Sequence, residues 1–169
     1  MIFSVFIFLG CTDSNLAVYR NKEVNIKIKY PKTWRLIENT DGAAVIFVSP
    51  KETSLDYYQE NLNVVVQELP RVGAMPLKLY SIEAVNQITR TIPNIEVVSN
   101  HDTILSQNLA HRFEYIIKSN FNLRVIHLWA INNRKAYQVT FACDVDHCDK
   151  YMPLANAMFD SFEIPEIPQ

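Results

Sequence analysis

Residues 45–66, VIFVSPKETSLDYYQENLNVVV, decide how the rest of this chain is read. From Ala43 to Val48 the sequence is almost unbroken apolar, rich in β-branched and aromatic residues, and it stops at Ser49-Pro50. A run this short reads as a strand covered on both faces. From Glu60 to Glu68 the pattern alternates: Leu62, Val64 and Val66 point one way, Asn61, Asn63 and Gln67 the other. One covered strand beside one half-exposed strand calls for a sheet with helices packed on it.

Upstream, Glu23 to Tyr30 alternates Val24, Ile26, Ile28 and Tyr30 with Asn25, Lys27 and Lys29, which predicts a half-buried strand. Pro31-Lys32 marks a turn, a strand starts near Trp34, and Asn39-Thr40-Asp41-Gly42 reads as a hairpin turn. Downstream, Leu69-Pro70 ends the pairing, because proline offers no ladder donor. A helix is expected over 79–92, with Ala84, Val85, Ile88 and Ile92 on one face. Four strands follow, over 95–105, 110–118, 123–131 and 136–143. Their connections are so short that neighbours must run antiparallel. A last helix is expected over 148–160, striped by Tyr151, Leu154, Ala155 and Met158, with Pro153 in its first turn.

The 169 residues suffice for one domain with a real core. Hydrophobic residues make up 49% and charged residues 20%, as in ordinary globular proteins, and three glycines leave no room for a flexible linker. A net charge of −2 argues against non-specific nucleic-acid binding. Within that balance, Lys27, Lys29, Lys32 and Arg35 crowd together. The plain reading is a solvated sheet face; the sharper one is a docking face for anionic lipid or an acidic partner.

The N-terminus reads as an address. Ile2 to Leu9 fits the apolar core of a signal peptide and falls far short of the ~20 residues a spanning helix needs. Phe8-Leu9-Gly10-Cys11 resembles a bacterial lipobox, with Phe where Leu is usual and no Lys or Arg before the core. The organisation expected is a signal peptide over 1–10, a lipidated N-terminus and tether over 11–22, and the domain proper over 23–169. Membrane attachment through lipid on Cys11 and an extracytoplasmic location follow from that reading.

Candidate chemistry is thin. Cys143, His147 and Cys148 lie among Asp144, Asp146 and Asp149, the densest stretch in the chain. It lacks the paired spacing of a zinc site, the glycine and glutamate of a calcium loop, and the Cys-x-x-Cys of a redox motif. A structural disulfide between Cys143 and Cys148 is the leading reading, ahead of free thiols and of a metal or catalytic site. His111 should share a face with Phe113 and Tyr115, and His127 with Val125 and Trp129. A lone histidine among aromatics is more often a hydrogen-bonded core residue than a ligand. No cofactor, no catalytic residues and no metal ligands are assigned.

In order along the chain come Tyr30-Pro31-x-x-Trp34, Val45-x-Phe47-x-Ser49-Pro50, Glu60-Asn61-x-Asn63-Val64-x-Val66, Ala136-Tyr137-x-x-Thr140-x-x-Cys143, and Tyr151-x-Pro153-x-Ala155-x-x-Met158-x-x-Ser161-Phe162. This set resembles the PsbP family, named for an extrinsic lumenal subunit of the oxygen-evolving photosystem, whose fold the Mog-type domain shares. The resemblance implies an α+β protein, an α/β/α sandwich around a twisted antiparallel sheet. It implies binding or assembly rather than catalysis, with a membrane-protein complex as partner, photosystem II in a photosynthetic host. The alternative is a small-ligand or metal-ion binder using a cleft between sheet and helix. Family members commonly carry Ala near position 143, so the Cys143–Cys148 pair stands outside the shared pattern.

Overall fold

The computed structural model describes residues 15–54, 56–70 and 75–165. In chain order the elements are β1 (Leu16–Asn21), β2 (Ile26–Pro31), β3 (Arg35–Thr40), β4 (Ala43–Val48), β5 (Asn61–Glu68), α1 (Leu77–Thr91), β6 (Ile95–Leu105), β7 (Asn108–Ile117), β8 (Leu123–Asn132), β9 (Lys135–Asp144) and α2 (Cys148–Asp160). Strands β3 to β9 form one seven-stranded sheet in the order β3-β4-β5-β9-β8-β7-β6, and β1 and β2 form a separate ribbon. All pairings are antiparallel.

Register assigns each sheet face its own core. Phe47, Leu62, Phe141 and Ile126 stand opposite one another across four strands, on the face covered by α2 and the ribbon. There they meet Ile26, Ile28, Met158 and Phe162, all 2% exposed or less. On the other face Phe113, Tyr115, Val125 and Trp129 meet Tyr80, Ala84, Val85 and Ile88 of α1. The molecule is therefore the expected α/β/α sandwich.

Local sequence explains most boundaries. Asp41 and Gly42 both take positive φ (50° and 78°), the primed turn whose twist suits a two-residue hairpin, and Thr40 pairs with Ala43 across it. Pro76 stands as the N-cap of α1, and Ile92 caps its other end through an N–H to the Ile88 carbonyl. The apolar stripe 84-85-88-92 faces inward, as its spacing requires.

Three expectations are corrected. The tether expected over 11–22 is strand from Leu16 to Asn21, paired along its length with β2 and burying Tyr19 against Phe47. The strand expected from Glu23 begins only at Ile26, because the Asn21 side chain accepts the N–H groups of Glu23 and Val24 and Asn25 turns to φ 58°. Pro153 lies inside α2 rather than in its first turn. The helix starts at Cys148, so the proline forgoes a hydrogen bond to Asp149, which is exposed. The expected signal peptide and the lipidation residue Cys11 lie outside the described residues.

Candidate functional site

Helix α1 crosses its sheet face like a bar and leaves an open cleft along each side. One cleft, about 460 Å³, lies between Ser81, Val85 and Asn86 of the helix and Asn100, Asp102 and His111 of β6 and β7. The other, about 530 Å³, lies between Tyr80, Ala84 and Ile88 of the helix and Gln67, His127, Trp129 and Gln138 of the sheet. Trp129 pins the helix between them. Its indole N–H donates to Ser81 Oγ over 2.8 Å, and Ser81 donates onward to the Leu77 carbonyl at 2.8 Å. His111 stacks on the indole with ring centroids 5.4 Å apart.

The register brings both sequence-predicted histidines under α1. His111 stands opposite Trp129, and His127 stands between Phe113 and Thr140. In the first cleft His111 Nδ1 lies 2.8 Å from Asp102 Oδ1 and Nε2 lies 2.6 Å from Asn100 Oδ1. In the second, His127 Nδ1 lies 2.9 Å from Thr140 Oγ1 and Nε2 lies 3.1 Å from the Tyr115 hydroxyl. Burial holds the His127 imidazole down at about 4 and pushes the Tyr115 phenol up to about 12. Burial also raises Tyr80, against the opposing hydrogen bond from Gln138. The floor of this cleft is thus uncharged at neutral pH while remaining rich in hydrogen-bonding groups.

Ser81 is spent between Trp129 and Leu77, and both His111 nitrogens are engaged by Asp102 and Asn100, so this serine has no imidazole to activate it. Among the described residues, no three His, Cys, Asp or Glu side chains converge to hold a metal ion. His101 is exposed, opposite Arg112 rather than under α1.

On the opposite layer, Lys27 and Lys29 share the outer side of β2 while Ile26 and Ile28 are buried. Lys27 is bound to Glu163 by both carboxylate oxygens, at 2.7 and 2.8 Å. Lys32 and Arg35 are exposed at the β2–β3 turn and the start of β3. Cys143 and Cys148 are bonded as a disulfide with Cα atoms 5.2 Å apart, buried where β9 gives way to α2. The reversal is made by Asp144, whose carbonyl accepts the His147 N–H and whose side chain accepts that of Asp146.

Two buried carboxylates were not singled out by sequence reasoning. Glu114 is held between Arg112 and Arg124 on the α2 face, where hydrogen bonds from both outweigh burial and keep its carboxyl below the usual range. Glu60 is 2% exposed, with Ser49 Oγ at 3.1 Å, and burial raises it. A signal for Glu114 was present: Arg112 and Glu114 alternate on one face of a strand whose neighbour brings Arg124.

The chain has relatives in fold and in family. It is similar to the solution structure of cyanobacterial PsbP (CyanoP) from Synechocystis sp. PCC 6803, at 17% identity and TM-score 0.67, over 92% of this chain and 96% of that one. It is similar to LpqN of Mycobacterium tuberculosis, a protein involved in cell envelope biogenesis, at 13% identity and TM-score 0.69, over 89% and 91%. It is also similar to the Ran-binding protein Mog1p of Saccharomyces cerevisiae, at 10% identity and TM-score 0.58, over 89% and 95%. Among curated proteins, none matches the chain in sequence. The sequence pattern of the PsbP family matches residues 14–164, and the chain belongs to that family.

Proposed function

We propose that the protein is a non-catalytic binding and assembly module, held by lipid at an extracytoplasmic membrane surface, where it docks on a membrane-protein complex. The observation that carries this reading is the lipobox-like Leu9-Gly10-Cys11, which lies a few residues upstream of the first strand, Leu16–Asn21. Among the described residues no helix is long and apolar enough to cross a membrane, so the described domain offers no helical span of its own. The docking face is the basic cluster of Lys27, Lys29, Lys32 and Arg35, with the exposed Lys32 and Arg35 leading. In a photosynthetic host the complex this family points to is photosystem II. The test is fractionation. Cys11→Ser is expected to move the protein from the membrane to the soluble fraction, and full retention on the membrane defeats the anchor. Lys32→Glu with Arg35→Glu is expected to keep it on the membrane and weaken co-purification with its partner, more at low salt than at high. An unchanged set of partners assigns the cluster to solvent.

A second reading is favoured by the clefts beside α1: the domain binds a small ligand against Trp129 and His127. A cleft with an apolar wall and a few converging polar groups is the usual form of such sites. Native mass spectrometry of the protein purified from its own membrane decides it: a bound mass lost in Ala84→Trp supports the cleft, and an empty protein speaks against it.

A further inference from the structure

We infer that the end of the sheet carrying Tyr57 and Phe121 is the face this domain lays against the lipid bilayer, with both rings at headgroup level. The inference rests on the anchored reading above and adds an orientation to it.

The register gathers several loops at one end. Arg35 stands opposite Val48, Val48 opposite Asn61, Ile117 opposite Leu123, and Leu123 opposite Asp144. The β4–β5 loop, the β7–β8 loop and the disulfide turn therefore emerge together. The chain enters the domain at the same end, since Leu16 pairs with Pro31 and the Asn15 carbonyl accepts the Lys32 N–H at 3.0 Å.

Two aromatic rings stand open at this end. Tyr57 is 78% exposed and Phe121 54%, and although they come from different loops their ring centroids lie 6.1 Å apart. Such a pair in water leaves apolar area uncovered, whereas at a membrane interface it is at home. Beside the pair, Lys118 is bonded to Glu96 and Lys150 to Glu52. The apolar contact is made by the two rings.

The tether selects this end over the other. Three residues, 12–14, separate Cys11 from Asn15, so their Cα atoms lie at most about 14 Å apart. The ten residues of β7 span roughly 33 Å. The far end, where Ile104 and Leu109 are also exposed, therefore lies beyond what lipid on Cys11 can bring to the bilayer.

The test uses the full chain, purified with its lipid and reconstituted into phosphatidylcholine vesicles. Phe121→Trp, Tyr57→Trp and Leu109→Trp are made separately, each at an exposed position, and quenched with brominated phosphatidylcholine. The native Trp34 and Trp129 are buried and give a common background. Phe121→Trp and Tyr57→Trp are expected to be quenched several-fold more than Leu109→Trp, with blue-shifted emission. Equal quenching at both ends, or stronger quenching of Leu109→Trp, overturns the orientation. Flotation is read separately. A chain that does not float with vesicles defeats the anchor and the orientation together; one that floats with both new indoles unquenched defeats the orientation alone.

Discussion

Lys27 and Glu163 meet twice: their side chains pair at 2.7 Å, and their backbones exchange N–H to carbonyl bonds of 3.0 and 2.8 Å. Beside them Ser161 Oγ accepts the Lys29 N–H at 2.9 Å. The segment after α2 thus closes the open edge of the ribbon, and Phe162 is driven into the core between these bonds. The first lysine of the basic cluster is consequently a structural residue, so a charge reversal there would confound docking with stability.

From this follows a double-mutant cycle. The side-chain pair is partly exposed, at 25% and 51%, and should contribute about 0.2–1 kcal/mol. Lys27→Glu alone places two carboxylates together and is expected to cost more, and Glu163→Lys in the same chain should restore most of the loss. Urea unfolding of the four proteins checks it; absence of any coupling removes the pair from the account.

Phe47 and Phe162 enter the same core from opposite ends of the sequence and are 0% and 1% exposed. Each replacement by Ala is expected to cost ~3–5 kcal/mol. Denaturant midpoints measure this directly, and a loss below ~1 kcal/mol at both positions contradicts the packing.

For Cys143 and Cys148, thiol labelling of the unfolded, unreduced mature protein should find neither reactive. The loop between them is short, with a sequence separation of 5. Replacing both by Ala should therefore remove only about 2 kcal/mol on the chain-entropy account, apart from lost packing. Two labelled thiols would exclude the bond.

The pH dependence has a defined sign. His127 is held at about 4 when folded, through burial, against 6.5 as its ordinary value. As pH falls through 6.5 the unfolded chain takes up this proton first, so the contribution is complete above 6.5 and is lost down to about 4. The full loss is about 3 kcal/mol. Glu114, held low by its arginines, adds a loss of the same sign at more acid pH, while Glu60, raised by burial, works the other way. Comparison with His127→Gln isolates the imidazole: between pH 7 and 4.5 the natural protein should lose about 2–3 kcal/mol more than the variant. Parallel pH profiles would mean that the imidazole takes up its proton over the same pH range in the folded and the unfolded chain.

Much of the fold was legible because its signals are local. The stripe of α2, the Asp41-Gly42 turn and the alternation at Leu62, Val64 and Val66 need only a few neighbours to be read. Leu16–Asn21 was missed because six residues close to an apolar N-terminal run look like a tether; their strand character is fixed by β2 and by the edge-to-face contact of Tyr19 with Phe47. Pro153 was misplaced because a missing N–H says only that one bond is absent, and the outer turn of a helix can dispense with it. The clefts beside α1 could not be read at all. His111 and His127 lie on different strands, and only the register of β7, β8 and β9 places both beneath one helix.

The backbone bridge between Lys27 and Glu163 also sets an order of events during synthesis. Strand β5 must wait for β9 before the sheet is continuous, and the ribbon must wait for residue 163 before its edge is closed. Contacts so distant along the chain confer nothing until both ends are present. A nascent chain released with its first strands made but its last residues still undelivered holds an apolar ribbon with no floor. Completion of this domain is therefore tied to the arrival of its final helix and the few residues beyond it.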